Sequence, residues 1–513
     1  MAESASRLSR LLDRNLAILT DQPGPPLVVG ATFMAIALIR ATLFPGTGGD
    51  DGEQLIFSQF FAWGYQVRNP PLYTWLVMAV SEVTGPNLWA VNIVKFTLLA
   101  GMYLMLWRAA LYVIRDRRLA ALAGLAPMLF YYVAWEAVTG FSHTVLVACL
   151  YAAVFWLLLC IRDAGGHWCD YLLFGAVIGL GAMAKYSFWI FLLALLAATL
   201  TDSELRRRLL SMKILAALIV AALIAAPHYL WLADRLDILA GQAGGTAAAK
   251  ASLSFKGLGH GAKAAVGFLA PFWVIALACF PKAFRSISGV HPVVRVIGWQ
   301  MVVIMSGTAL GALLLPEFRI RTHYMIVLLL FPIWALARAE AAGASANRIR
   351  AFAVAVTVAL TAAPVGLIAK YALEPLTCVR CQHHIPYADL AEKIRDMGFT
   401  GGTIVAQWHP DPLPGNLRAA FPNARVVSTK HGDVIPALRP DAGGQCLVVW
   451  SGDANRDGRS PAVGGANQLL NAGIGLDQGH QIVSAPLAGI PAIVGGKTAV
   501  LGVILTPGRG DCR

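Results

Sequence analysis

The sequence predicts a polytopic α-helical membrane protein of about 11 transmembrane helices, followed by a small extracytoplasmic α/β domain. Three observations predict it. Of 513 residues, 57% are apolar and only 13% charged, where soluble domains carry about 25% charged residues. The net charge of +13 is not spread over one face, as nucleic-acid binding would require. It falls in short basic clusters between apolar runs, the arrangement of cytoplasmic loops. Beyond residue 373 the pattern changes to helices alternating with short strands. The chain therefore divides into a membrane domain, 1–373, with an outer loop at 45–86, and an outer domain, 374–513.

The spans follow in order. Arg7, Arg10 and Arg14 precede no small-residue cleavage site and read as a cytoplasmic start. Pro26 to Phe44 exits and Asn87 to Ile114 returns to Arg115-Asp116-Arg117-Arg118. Leu119 to Trp135 exits and His143 to Ile161 returns to Arg162. Tyr171 to Leu200 is too long for one span and reads as two short helices with Lys185-Tyr186-Ser187 at their outer turn, before Arg206-Arg207-Arg208 marks the inside. Ile214 to Ala233 exits, and Asp234 to Lys263 reads as a flexible outer loop. Gly267 to Phe280, Val294 to Leu315, Tyr324 to Ala337 and Ala351 to Leu373 complete the set. No internal repeat of the two-half transporter kind is present.

In the tail, Ala388 to Met397 has a helical pattern, while Thr403 to Ala406, Ala424 to Val427 and Cys446 to Trp450 read as strands. Ile490 to Leu505 is apolar enough to suggest a twelfth span, but Gly, Pro and Lys497 favour closing strands. Cys149, Cys160, Cys169 and Cys279 lie in or beside apolar runs and read as packing residues. For Cys378, Cys381, Cys446 and Cys512, disulfides or free thiols rank ahead of zinc, because there is one CxxC and no second pair.

The chemistry is placed in GGDDGEQLIFSQFFAWGYQVRNPPLYTW, Gly48 to Trp75. Asp50, Asp51 and Glu53 gather three carboxylates immediately after a span. Leu55, Ile56, Phe60 and Trp63 recur at roughly helical spacing, predicting a helix along the bilayer surface. Pro70-Pro71 closes the unit as a rigid extended step before the next helix. A carboxylate held beside a lipid headgroup is suited to take the proton of an attacking hydroxyl.

Asp50-Asp51, Ser58-Gln59, Gly64-Tyr65 and Pro70-Pro71-Leu72-Tyr73-Thr74-Trp75 together resemble the first outer loop of the GT-C glycosyltransferases of family 39, the protein O-mannosyltransferase and aminoarabinose (lipid A) transferase type. The second acid is Asp51 where that family has Glu. The resemblance covers roughly Pro26 to Leu373. It implies a GT-C fold and an inverting transfer of a sugar from a polyprenyl-phosphate donor to an envelope acceptor (lipid A or another lipid, a glycan or a protein) on the outer side of the cytoplasmic membrane. It also implies that Asp50 is the catalytic acid and Asp51 its neighbour.

A departing phosphate calls for fixed cations. Lys185, in Gly181 to Tyr186, resembles the family's Gly-x-x-x-Lys-Tyr segment; an ionisable residue within a span reads as functional, and snorkelling to the interface is the alternative. Arg319, Arg321, His323 and Tyr324 resemble the family's late outer loop; an interfacial anchor gives the same composition. Glu53, Tyr65, Arg68, Lys95, Glu136 and His143 are supporting candidates, with Arg40 and Lys95 either pairing with the acids or snorkelling. His143 stands where relatives often have a second acid, so Glu136 is the alternative for that role and a bound divalent cation is left open. Pro227 to Trp231 is similar to a family segment, and an aromatic belt explains it as well. A transporter or flippase of a lipid-linked sugar, or a non-catalytic assembly partner, are the competing readings. The transporter predicts ionisable groups at the midplane; here they gather toward the outer side.

Overall fold

A computed structural model describes residues 2–238, 255–285, 288–314, 322–379, 381–409, 411–438, 444–452, 461–475 and 479–513. The membrane part begins with α1 (Ala2–Thr20), α2 (Gly24–Leu43), α3 (Gly49–Phe57), α4 (Leu72–Thr84) and α5 (Leu88–Val113). After α6 (Arg117–Leu125) come a 3-10 turn, a π-turn (Tyr132–Glu136) and the single turn α7 (Ala137–Thr139). Next are α8 (His143–Asp163), α9 (Trp168–Ala182), α10 (Ser187–Thr199), α11 (Ser203–Leu209) and α12 (Lys213–Ala233). The remaining helices of this part are α13 (Phe255–Leu269), α14 (Phe272–Cys279), α15 (Pro292–Leu314), α16 (Phe331–Ala341) and α17 (Ala346–Thr377).

Among the described residues six helices are long and apolar enough to cross a bilayer: α2, α5, α8, α12, α15 and α17. The pair α10 and α11, bent by 119°, makes up to seven. The expected eleven counts several apolar runs that are not single long helices. Leu119 to Trp135 breaks at Pro127, which lacks the N–H an α-helix needs, and continues as 3-10 and π turns. Gly267 to Phe280 breaks at Pro271, where α14 starts anew. Tyr324 to Ala337 is 3-10 up to Leu330 and α-helical only from Phe331. Part of the predicted outer loop, Phe255 to Lys263, is instead helix α13; it packs Ala264 and Phe268, four apart on one face, into the core. The rest of that loop includes 239–254, outside the described residues. The long run 171–200 divides into α9 and α10 with Lys185 at the turn, as predicted.

Beyond α17 come α18 (Tyr387–Asp396), β1 (Gly402–Ala406), α19 (Leu413–Ala420), β2 (Arg425–Ser428) and β3 (Gln445–Ser451). The chain ends with α20 (Pro461–Leu470), β4 (His480–Pro486), α21 (Pro491–Val494) and β5 (Thr498–Pro507). The strands form one sheet in the order β2-β1-β3-β5-β4. β1 runs parallel to β2 and β3, and β5 antiparallel to β3 and β4. Period-2 alternation gives the sheet two apolar faces. Ile404, Val426, Leu447 and Val449 pack with Leu390, Ile394 and Leu417 on one face. Val405, Val427, Val448 and Trp450 pack with Ala462, Ala466 and Leu470 on the other. The cysteines of the tail pair as Cys378–Cys381 and Cys446–Cys512.

Candidate active site

The three acids lie inside a helix. α3 starts at Gly49, so Asp50 and Asp51 occupy its first turn, where the exposed N–H groups favour negative charge. The predicted surface helix through Phe60 and Trp63 is a correction: α3 stops at Phe57. Leu55, Ile56 and Phe57 are at most 1% exposed, so they face protein and not lipid. The stretch after α3 is tied as a loop. The Tyr65 hydroxyl donates to the Phe60 carbonyl at 2.7 Å, and the Trp75 indole donates to the Ala62 carbonyl at 2.9 Å. At its end the Leu72 amide donates to the Met183 carbonyl, which seats the Pro-Pro-Leu turn against the α9–α10 turn that bears Lys185.

Four consecutive residues of α3 are fixed to four different surroundings. Asp51 accepts from Arg40 of α2 at 2.8 Å and meets Lys95 of α5 at 2.7 Å, with all three side chains buried. Gly52 packs on Gly415 of α19 so closely that a Cβ at position 415 would overlap the Gly52 backbone. Glu53 lies 3.0 Å from the His431 imidazole and 3.4 Å from the Lys430 ammonium, and accepts from the Gln66 amide. Gln54, fully buried, accepts from Thr74 at 2.6 Å and donates to His143 at 3.3 Å. His143 closes this chain with its other nitrogen, Nδ1, facing the Ala184 carbonyl at 3.2 Å. The proton is assigned to Nδ1, leaving Nε2 to accept from Gln54.

Asp50 is different. It is solvent-accessible, and among the described residues no hydrogen bond or ion pair engages its carboxylate. Enough protein surrounds it that burial, then the neighbouring charges of Glu53 and Asp51, push its pKa up to about 6 against the partial opposition of Lys95 and Lys185. Burial would raise Asp51 as well, but Lys95 and Arg40 outweigh it and hold that carboxyl below its ordinary value. Glu53 is likewise held low, burial being outweighed by His431 and Lys430. Two adjacent acids thus have different surroundings: Asp51 is a buried counter-charge to Arg40 and Lys95, and Asp50 is a carboxylate that no described residue engages.

Lys185 is half-buried at the α9–α10 turn, donates to the Thr144 hydroxyl at 3.1 Å, and acts electrostatically on Asp50. Beside it, His228 bridges the Tyr186 hydroxyl (3.0 Å) and the Trp63 carbonyl (2.8 Å). Lys95 and Arg40 pair with Asp51 and do not snorkel. Tyr65 is stacked on Phe57, its hydroxyl committed to Phe60 and its pKa raised to about 12 by burial, so it is a tie and not an acid. Arg68 is exposed at the tip of the loop. Glu136, in the π-turn, accepts from Tyr131 at 3.2 Å. Arg319 and Arg321 lie outside the described residues, as do the side chains of His323 and Tyr324.

Sequence reasoning missed the contribution of the tail. The loops leaving the carboxyl ends of β1 and β2 bring Trp408, Lys430 and His431 onto α3. Ile56, Phe57, Tyr65, Trp408 and Val434 form one apolar cluster across this contact. The Gln59 amide pairs with both backbone groups of Val426 on edge strand β2 (2.9 and 2.8 Å). The Asn416 amide does the same for Thr47. The Ser-Gln motif pointed to Gln59; partners more than 360 residues away left no signal.

Comparisons with known proteins bear on the family and the fold. A family model described as dolichyl-phosphate-mannose-protein mannosyltransferase matches residues 68–231. The lipopolysaccharide core galacturonosyltransferase RgtA of Rhizobium johnstonii is 30% identical over 436 residues, 83% of this chain and 86% of that protein. RgtB of the same organism is 29% identical over 412 residues, 78% of this chain and 81% of its own. The crystal structure of ArnT from Cupriavidus metallidurans bound to undecaprenyl phosphate superposes with a TM-score of 0.62 at 14% identity, over 93% of this chain and 97% of that one. The protein is a multi-span membrane glycosyltransferase with a GT-C fold. It belongs to the family of GT-C glycosyltransferases typified by family 39.

Proposed function

We propose that the protein transfers a sugar, with inversion, from a polyprenyl-phosphate donor to a saccharide of the lipopolysaccharide core, on the periplasmic face of the cytoplasmic membrane. Galacturonic acid is the sugar favoured by its relatives' names. The observation that carries the reading is Asp50, the one carboxylate of α3 that no described residue engages while its neighbours are fixed. Asp50 accepts the proton of the acceptor hydroxyl as that oxygen attacks the anomeric carbon. The bond to the phosphate breaks on the opposite face, and Lys185 stabilises the departing phosphate.

Orientation is supported by two features. Basic clusters in the inner loops favour a cytoplasmic position for them. The tail, which carries two disulfides, is docked on α3, so site and disulfides share the oxidising side. A bound divalent cation fits poorly: Asp51 and Glu53 are engaged by cationic or imidazole partners. Among the described residues no group of three metal-ligating side chains occurs, and no step is routed through a metal. Incubating purified protein with a panel of polyprenyl-phosphate sugars and core-bearing lipopolysaccharide tests the proposal. Label should enter the core from a uronosyl donor and survive chelation. Label entering only from a nucleotide sugar contradicts it.

A further inference from the structure

Glu53 takes no direct part in the transfer. It stands one turn from Asp50 on the same face of α3, yet its partners, Lys430 and His431, come from the loop after β2, 377 and 378 residues further along the chain. His431 is held edge-on by Phe57 (5.0 Å) and Trp408 (5.2 Å) and is 5% exposed. Lys430 lies over the Trp408 ring at 4.3 Å. Trp408, Phe57 and Tyr65 belong to one apolar cluster, so the loop cannot shift without disturbing α3.

We infer that Glu53 is a positioning residue for the transfer: through His431 and Lys430 it ties the C-terminal unit to α3 and fixes both the place and the charge surroundings of Asp50. The inference rests on Asp50 being the proton acceptor. Among the described residues, the charged groups that act most on Asp50 are Glu53 and Asp51 from α3, Lys95 from α5 and Lys185 from the α9–α10 turn. Those facing Glu53 are His431, Lys430 and, from α8, His143. With its partners in place, the charge of Glu53 is partly balanced. Removing the charge eases ionisation of Asp50; removing the partners leaves it unbalanced and hinders ionisation.

The test is the pH profile of kcat for wild type, Glu53→Gln, His431→Ala and Lys430→Met, each purified in detergent and assayed with a polyprenyl-phosphate uronosyl donor and core-bearing lipopolysaccharide. A base must be ionised, so the rate falls as pH drops through its pKa. Glu53→Gln should move this acidic limb down by about 1 pH unit, while His431→Ala and Lys430→Met should move it up. Each should lower kcat several-fold with the donor KM unchanged. Loss of rate with unmoved limbs in all three overturns the inference, as does no effect at all. An absent limb in wild type, together with full activity of Asp50→Asn, instead overturns the assignment of Asp50. Lys430 is exposed enough that its Met variant should fold even if the His431 variant does not.

Discussion

The Lys95 ammonium stands 2.7 Å from the Asp51 carboxylate, with the lysine wholly buried and Arg40 completing the pair from the other side. One position earlier, Asp50 has no such partner among the described residues.

The buried triad gives the first prediction. Asp51→Asn keeps the shape but leaves Lys95 and Arg40 buried without a counter-charge, at a cost of about 3–5 kcal/mol. A fall in folded yield and in the detergent melting temperature should follow. An unchanged melt would show that the triad does not hold the membrane part together.

pH dependence follows from Asp50. Its pKa is raised to about 6 by burial and by Glu53 and Asp51, so kcat should be near maximal at pH 7.5 and fall about tenfold for each unit below about 5.5. The sign is decisive: a base loses rate toward acid. A rate that rises on acidification would make the group a proton donor.

The docking of the tail is tested at Gly415. A Cβ there meets the Gly52 backbone, so Gly415→Val should force α19 away from α3, lower activity at least tenfold and raise protease sensitivity near residue 378. Wild-type activity would mean that the tail does not support the site.

Legibility divides along physical lines. Long apolar runs and basic loops carry their own signal, so α2, α5, α8, α12 and α17 can be read within a few residues. Runs broken by Pro127 or Pro271 cannot, because hydropathy does not register a lost N–H. The acid cluster and the Lys185 turn are local in sequence and were visible. What separates Asp50 from Asp51 is not local: Arg40 and Lys95 reach Asp51 from two other helices, and His431 reaches Glu53 from the far end of the chain. Single-sequence patterns do not contain those meetings. The helix expected from Leu55 to Trp63 ends at Phe57 for a related reason, since Ile56 and Phe57 face Trp408 of the docked tail and buried apolar residues give the same pattern as lipid-facing ones.

The most direct measurement is single-turnover sugar transfer by wild type and Asp50→Asn, with donor binding and melting temperature followed in parallel. The account predicts a loss of about 10²–10⁴-fold in rate, with binding and melting unchanged. Transfer by Asp50→Asn at the wild-type rate would contradict it and remove the open carboxylate from the chemistry.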